Sequence, residues 1–235
     1  MEWYEKLDFD ENPFSTDPRK NHDKLLNLEE PIEEMFYRIN SGSMLVIEAP
    51  PGNGKTTLLM VAARKFGGRK KVVYVDAKNI EKGLNITHVL QERYGFFGRV
   101  FDKKPRNMIL LLDNVDALSK KNTERIKFYF DQNYIRSIIF TTDNYKKAKF
   151  SDSLRDRIGK RVVKINRIRQ DDAIEIIKMR IEDSELFNDK LIKKIFKISK
   201  KSVKLLLQNC TDVSKSAAKK NRKRVQLADF KVLKK

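Results

Sequence analysis

Glu48-Ala49-Pro50-Pro51-Gly52-Asn53-Gly54-Lys55-Thr56-Thr57 is the stretch whose reading decides the fold, because two different apolar patterns flank it. Before it, Met44-Leu45-Val46-Ile47 is a continuous apolar run of the kind found in a buried strand. After it, Thr57 to Ala63 reads as a helix. A glycine-rich turn between a buried strand and a helix is where a phosphate loop sits. Gly52 and Gly54 let successive N–H groups turn inward without a Cβ clash, and the helix N-terminus adds partial positive charge. Lys55 is then placed to reach the β and γ phosphates of a nucleoside triphosphate, and the Thr56 hydroxyl to ligate its magnesium ion. Pro51, Gly52, Asn53, Gly54, Lys55, Thr56 and Thr57 are thus the expected nucleotide contacts. Ala49 stands where the strict Gly-x-x-x-x-Gly-Lys-Thr pattern has its first glycine, a change of one methyl group that the loop can accommodate.

Working outward, short apolar runs recur at Val72 to Val75, Met108 to Leu112, Ile138 to Thr141 and Val162 to Ile165. Helical segments near 86–94, 119–131 and 151–157 separate them, and a helix from Glu29 to Asn40 precedes the first strand, with Ser41-Gly42 as its stop signal. Strands alternating with helices predict an α/β fold: a P-loop parallel sheet covered by helices on both faces. After Asn166 the pattern is helical alone, at Asp171 to Glu182, Asn188 to Ser199, Val203 to Lys219 and Leu227 to Leu233. The expected organisation is an α/β nucleotide-binding domain over 1–165, with an aromatic N-terminal strap over 1–28, and a basic helical lid over 166–235.

Composition narrows the class. The single cysteine, Cys210, excludes an internal disulfide framework, and no N-terminal apolar run resembles a signal peptide or membrane span. A cytoplasmic protein without membrane attachment is expected. Two histidines, His22 and His88, with one cysteine support no metal site beyond nucleotide-bound magnesium. The net charge of +19 points to a polyanionic partner or to a lysine-rich solvated surface. From Asn166 onward there are 20 Lys and Arg against 9 Asp and Glu, a net of +11, so the charge concentrates in the C-terminal third. DNA contacted through its phosphates is the expected partner.

Met108-Ile109-Leu110-Leu111-Leu112-Asp113-Asn114-Val115-Asp116 is an apolar strand ending in acids. It puts Asp113 at the carboxyl edge of the sheet, where ligand-binding groups gather, as a carboxylate facing the magnesium ion opposite Thr56. With this motif beside the loop, the chain resembles the AAA+ ATPases of the initiator and clamp-loader clade, which includes archaeal Cdc6/Orc1 proteins and replication factor C. Pro-Pro-Gly-Asn-Gly-Lys-Thr-Thr resembles the Walker A loop, Leu-Leu-Leu-Asp-Asn-Val-Asp the Walker B strand, and Ile-Ile-Phe-Thr-Thr-Asp-Asn the sensor 1 strand. Ser153-Leu154-Arg155-Asp156-Arg157 falls where the clade carries an arginine finger, and Ser202 to Leu207 where it carries sensor 2. The resemblance covers nearly the whole chain and implies ATP or ADP with Mg2+, and assembly with AAA+ subunits of the same or a related kind.

Two departures bear on hydrolysis. The clade's Walker B glutamate polarises the attacking water, and Asn114 stands in its place; an amide cannot accept a proton as a carboxylate does. Lys204 stands at the sensor 2 arginine and keeps the charge but not the planar fork that grips phosphate. At sensor 1, Asn144 is preferred to Asp143 for orienting the lytic water. Arg157 is the first finger candidate and Arg155 the second; the plainer role for Arg157 is a salt bridge to Asp152 or Asp156. Winged-helix and collar domains of the clade are not expected in this sequence. The expectation is an ATP-binding protein that hydrolyses slowly or only with a partner, in DNA replication or remodelling. The alternative is a non-hydrolysing nucleotide-binding module that docks on a partner ATPase.

Overall fold

The computed structural model describes residues 1–20, 24–67, 71–79 and 106–233. The chain divides into two compact units. The first comprises Leu28–Pro50 and Lys55–Ile165; the second comprises Met1–Asn27, Pro51–Gly54 and Asn166–Lys235.

The first unit is built on a five-stranded parallel sheet of β1 (Met44–Glu48), β2 (Val72–Asp76), β3 (Met108–Asp113), β4 (Ile135–Thr142) and β5 (Val162–Lys164), ordered β2-β3-β4-β1-β5. Consecutive residues of β1, Met44 through Ile47, are all buried, as are Leu110, Leu111 and Leu112 of β3. Side chains alternate across a sheet, so burial of successive residues means that both faces are covered. The covering helices are α1 (Glu29–Ser41), α2 (Lys55–Phe66), α3 (Lys120–Asp131) and α4 (Asp152–Ile158). Ser119 and Ser151 accept hydrogen bonds from Asn122 N and Leu154 N, capping α3 and α4. Strand β4 begins three residues before the apolar run Ile138 to Phe140, because Ser137 is buried with its hydroxyl donating to the Ser43 carbonyl at 2.7 Å. The helix expected near 86–94 lies outside the described residues.

The second unit packs α5 (Gln170–Ile181), α6 (Asp189–Ile198) and α7 (Val203–Lys219) around one core. Leu227–Val232, expected as a short helix, is a 3-10 helix, and Asp229 within it is fully buried. The N-terminal strap, expected with the sheet, belongs instead to this helical unit. Leu7 and Phe14 are buried in its core, Phe14 sits edge-on to Phe187 at 5.7 Å, and Arg180 donates to the Pro13 and Ser15 carbonyls. Helices this short cannot close a core alone, and burying two large side chains of the strap adds roughly 1.5–3 kcal/mol for each. Cys210 lies wholly inside this core, where burial pushes its thiol pKa up and leaves it a packing residue.

Candidate nucleotide site

Three strand ends of the sheet unit converge on Asp113. Parallel pairing sets Asp76 of β2 beside Asp113 of β3, and β4 brings Thr141 to the same edge. Only 1% of Asp113 is exposed. Its Oδ2 accepts from the Thr56 hydroxyl at 2.6 Å and from the Tyr74 hydroxyl at 3.0 Å. Its Oδ1 accepts from the Thr141 hydroxyl and from Asn114 N at 3.0 Å. A buried carboxylate is tolerable because its lone pairs are occupied in this way. Thr56 and Asp113 together offer adjacent hard oxygens, the donor chemistry that suits a divalent ion carried by a nucleotide. Among the described residues no cluster of His, Cys, Asp and Glu would hold a metal by itself.

Lys55, at the start of α2, is 7% exposed. Its ammonium donates to the Ala49 carbonyl at 2.6 Å, the Pro50 carbonyl at 3.3 Å and Asp143 Oδ1 at 2.7 Å. A charge so enclosed needs anionic company, and Asp143 supplies it. Asp143 in turn donates its N–H to Asp116 Oδ2 at 3.0 Å, and Thr142 donates its hydroxyl to Asp116 Oδ1 at 2.6 Å. Asn144, preferred from the sequence at sensor 1, stands next to this ion pair in the chain. Asn144 Oδ1 accepts from Lys147 N at 3.1 Å, a turn-capping role open to short amide side chains, while Asp143 is the residue that meets Lys55.

Asn114 follows Asp113 in the left-handed region, at φ 55° and ψ 45°. Asparagine tolerates that backbone better than most residues. Its Nδ2 donates to Asp76 Oδ1 at 2.8 Å. Asp76, Tyr74 and Thr141 were not singled out from the sequence; for Asp76 the legible signal is an apolar strand closing on an acid, as β3 does on Asp113.

Residues Pro51–Gly54 group with the helical unit. Gly52 and Gly54 have φ of 77° and 87°, the conformation that turns N–H groups inward. Gly52 is also closely approached: a Cβ there would lie 2.4 Å from Ser202 Oγ and 3.1 Å from Lys204 Cβ. The Gly52 carbonyl accepts from Lys204 N at 3.0 Å, and Asn53 Oδ1 accepts from Val203 N at 3.3 Å. Asn53 is buried, and among the described residues its Nδ2 has no acceptor, leaving a donor in the loop of the kind an anionic oxygen takes. Lys204 thus engages the loop through its main chain, and its side chain is exposed. Thr57 is half-buried in the first turn of α2.

The two arginines at α4 part company. Arg155 donates to the Tyr145 carbonyl at 3.2 Å and the Ala148 carbonyl at 2.5 Å and stacks over Tyr145, so it fastens a turn of its own unit. Arg157 has a side chain 52% exposed, pairs with Asp131 at 2.9 Å, and lies over Phe130. Its ion pair is with Asp131 instead of Asp152 or Asp156.

Basic residues of the helical unit also fall into two groups. In the dense turn after α7, Lys220 and Arg222 bind the buried Asp229, Lys223 pairs with Asp8, and Arg224 with Glu185. Burial alone would raise the Asp229 pKa, but hydrogen bonds from Arg222, Gln226 N, Lys220 and Ser216 outweigh it and hold the carboxyl well below its ordinary range. Helix α6 is different: Leu191, Ile192, Ile195 and Phe196 face the core, while Lys190, Lys193, Lys194 and Lys197 are exposed. Lys200 and Lys201 continue the exposed run, and among the described residues none of these six is in an ion pair.

A parallel sheet whose first strand feeds a positive-φ glycine loop into a helix, with a buried lysine and a strand-end aspartate beside it, defines a P-loop nucleoside triphosphatase fold. The sequence profile of the ATPase family associated with various cellular activities (AAA) matches residues 45–166, just over half of the chain, and the chain belongs to that family. Replication factor C small subunit 2 of Pyrobaculum islandicum is 31% identical over 123 residues, which are 48% of this chain and 37% of that protein. The counterpart from Pyrobaculum aerophilum is 30% identical over 123 residues, again 37% of its length. The match therefore spans little more than a third of either relative. Among solved structures, Cdc6p of Pyrobaculum aerophilum superposes with a TM-score of 0.72 at 15% identity, covering 94% of this chain and 69% of that one. The Thermotoga maritima RuvB Holliday junction branch migration motor gives 0.64 at 16% identity, over 87% of this chain and 69% of that one. These likenesses are of fold. Among the described residues no helix is long and apolar enough to cross a membrane.

Proposed function

We propose that the protein binds ATP or ADP with magnesium and hydrolyses ATP slowly or only with a partner, in DNA replication or DNA remodelling. The observation that carries this reading is the contrast on one strand end. Asp113 is buried and fully hydrogen-bonded beside Thr56, whereas its neighbour Asn114 is an amide paired with Asp76. The backbone N–H groups of Gly52, Asn53 and Gly54, with Asn53 Nδ2, offer donors to phosphate oxygens, and Lys55 exchanges Asp143 for the β and γ phosphates. Thr56 and Asp113 hold the magnesium side, directly or through its waters. Magnesium supplies charge neutralisation as phosphoryl charge develops. Asp143, and not Asn144, is the sensor that reports on Lys55. Arg157, half-exposed and singly paired, serves a neighbouring AAA+ subunit's nucleotide as a finger, and Lys204 contributes charge at the sensor 2 position.

DNA meets the lysines of α6. Their stripe carries positive charge that is in no ion pair among the described residues, and the resembling proteins include one named for replication and one for branch migration. Phosphate contacts of this kind give affinity without sequence preference. Titrating the protein with ATP in the presence and absence of magnesium, and measuring turnover alone and with duplex DNA against Lys55→Ala as the blank, tests the reading. Magnesium-dependent binding with slow, DNA-responsive turnover is expected. Binding that survives Lys55→Ala refutes it. The second reading, a non-hydrolysing module on a partner ATPase, is favoured by Asn114 and holds if turnover equals the blank under every condition.

A further inference from the structure

Asp113 stands beside the Thr56 hydroxyl, yet its carboxylate has little left to offer a cation directly. An ionised carboxylate has about four lone-pair positions, and four donors meet those of Asp113. Oδ1 accepts from the Thr141 hydroxyl and from the Asn114 main-chain N–H at 3.0 Å; the first is fully buried on β4 and the second is backbone, so this oxygen is fixed inward. Oδ2 accepts from the Thr56 hydroxyl at 2.6 Å and from the Tyr74 hydroxyl at 3.0 Å. Thr56 can keep its bond while ligating an ion, because its proton goes to Asp113 and its lone pairs remain for the metal. Tyr74 is different. It reaches Oδ2 from β2, half-buried, and its proton takes the position from which that oxygen would bond an ion directly. All five residues lie within the sheet unit.

We propose that Tyr74 sets the cation preference of the site: by holding the second lone pair of Asp113 Oδ2 it keeps a water molecule between that carboxylate and the ion, and so favours magnesium over calcium. The inference rests on the nucleotide reading above. Magnesium is small, gives up water reluctantly and keeps several of its waters when bound beside a nucleotide. Calcium gathers about six to eight oxygen ligands, carboxylates prominent among them, at longer distances. A carboxylate whose lone pairs are already occupied suits the first ion and withholds a ligand from the second. Tyr74 is thus a positioning residue that acts through Asp113, as partners behind a metal ligand do elsewhere. Nothing in Val72-Val73-Tyr74-Val75 marks it, since an aromatic residue is ordinary in a strand.

The test uses ADP, so that turnover does not enter, and compares its calorimetric affinity with Mg2+ and with Ca2+. The original protein should bind ADP more tightly with magnesium. Tyr74→Phe removes only the hydroxyl, and the magnesium-to-calcium affinity ratio should fall about 10-fold or more, chiefly through tighter binding with calcium. In the Asp113→Asn background the same substitution should leave the ratio unchanged, because Tyr74 acts through that carboxylate. A spectroscopic arm needs no variant: Mn2+ takes the same octahedral oxygen shell as magnesium and is paramagnetic, so electron–nuclear double resonance on protein carrying 13C-carboxyl aspartate reports direct bonding. The original protein with Mn2+ and ADP should show no directly bonded aspartate, and Tyr74→Phe should show one. A ratio that Tyr74→Phe changes by less than about twofold overturns the proposal, against the 10-fold to 100-fold typical of an outer-shell partner. So does a manganese-bonded aspartate in the original protein, or equal ADP affinity with the two ions. An equal change in the Asp113→Asn background overturns it too, since Tyr74 would then act by itself. Each of these outcomes leaves metal-dependent nucleotide binding standing, whereas absent ADP binding with either ion overturns the nucleotide reading as well.

Discussion

Asp113 and Asn114 are chain neighbours at the end of one strand, and their surroundings differ in kind. Asp113 is buried and takes donors from α2, β2, β4 and its own following residue. Asn114 is half-buried, and among the described residues its side chain has one partner, Asp76. The first arrangement rests on four donors; the second rests, among the described residues, on one side-chain hydrogen bond. In the proposed site, the half assigned to phosphate and magnesium is built with redundancy, and the half assigned to water is built with one amide and one acid. Under the proposed function, nucleotide binding is accordingly the robust property and hydrolysis the fragile one.

The largest effect that would break this comparison is at Lys55. Lys55→Ala removes the buried ammonium, and ATP affinity is expected to fall about 100-fold or more, roughly 2.7 kcal/mol, in a calorimetric titration. A change under about threefold, or 0.7 kcal/mol, would mean that the loop does not bind phosphate through this residue. Next comes Asp113→Asn, which turns an acceptor toward four donors into a mixed group. Chemical denaturation should report a loss of about 1–3 kcal/mol, and magnesium should no longer strengthen ATP binding. Asn114→Ala should cost under about 1 kcal/mol in the same assay, as expected for one part-exposed hydrogen bond. Equal losses for the two would erase the difference between these neighbours.

Smaller effects sharpen the picture in the helical unit. Replacing Lys190, Lys194 and Lys197 with Ala should reduce the slope of log affinity for duplex DNA against log salt by about 0.9 for each phosphate no longer neutralised. Replacing Arg224 and Lys223, already paired with Glu185 and Asp8, should change that slope by less than about 0.5. Asp229 gives a pH dependence of known sign. Its folded pKa is depressed, so its contribution is fully present above the ordinary aspartate pKa of about 3.9 and is lost as pH falls through the folded value. Thermal melts of the original protein should therefore drop below about pH 4, while Asp229→Asn should be less stable at neutral pH and lose less across the same acid range.

Much of this was legible in the chain itself. The phosphate loop, the five strand positions and the three longer C-terminal helices follow from apolar periodicity, since residues buried on both faces of a sheet leave no alternation to misread. What escaped is what periodicity does not encode. The strap joined the helical core because Leu7 and Phe14 find apolar partners far along the chain, and nothing local specifies which core they enter. The basic residues of the turn after α7 count toward the C-terminal charge in the sequence, but a single buried aspartate and two distant acids pair with Lys220, Arg222, Lys223 and Arg224. At the site, Asn144 and Asp143 are adjacent and chemically similar, so only the turn geometry separates them. Asp76 closes an apolar strand legibly, but its significance lies in strand register, which sets it opposite Asp113 from 37 residues away.

The central claim is that the grip is intact while the water-handling half is weak. Measuring ATP binding and steady-state ATP turnover on one preparation of the protein, with magnesium, tests it most directly. The account predicts magnesium-dependent binding that Lys55→Ala abolishes, together with turnover below about 1 s⁻¹, under the usual range for enzymes. Turnover at or above the enzyme median of about 10 s⁻¹ without any partner, or no binding of ATP at all, would contradict it.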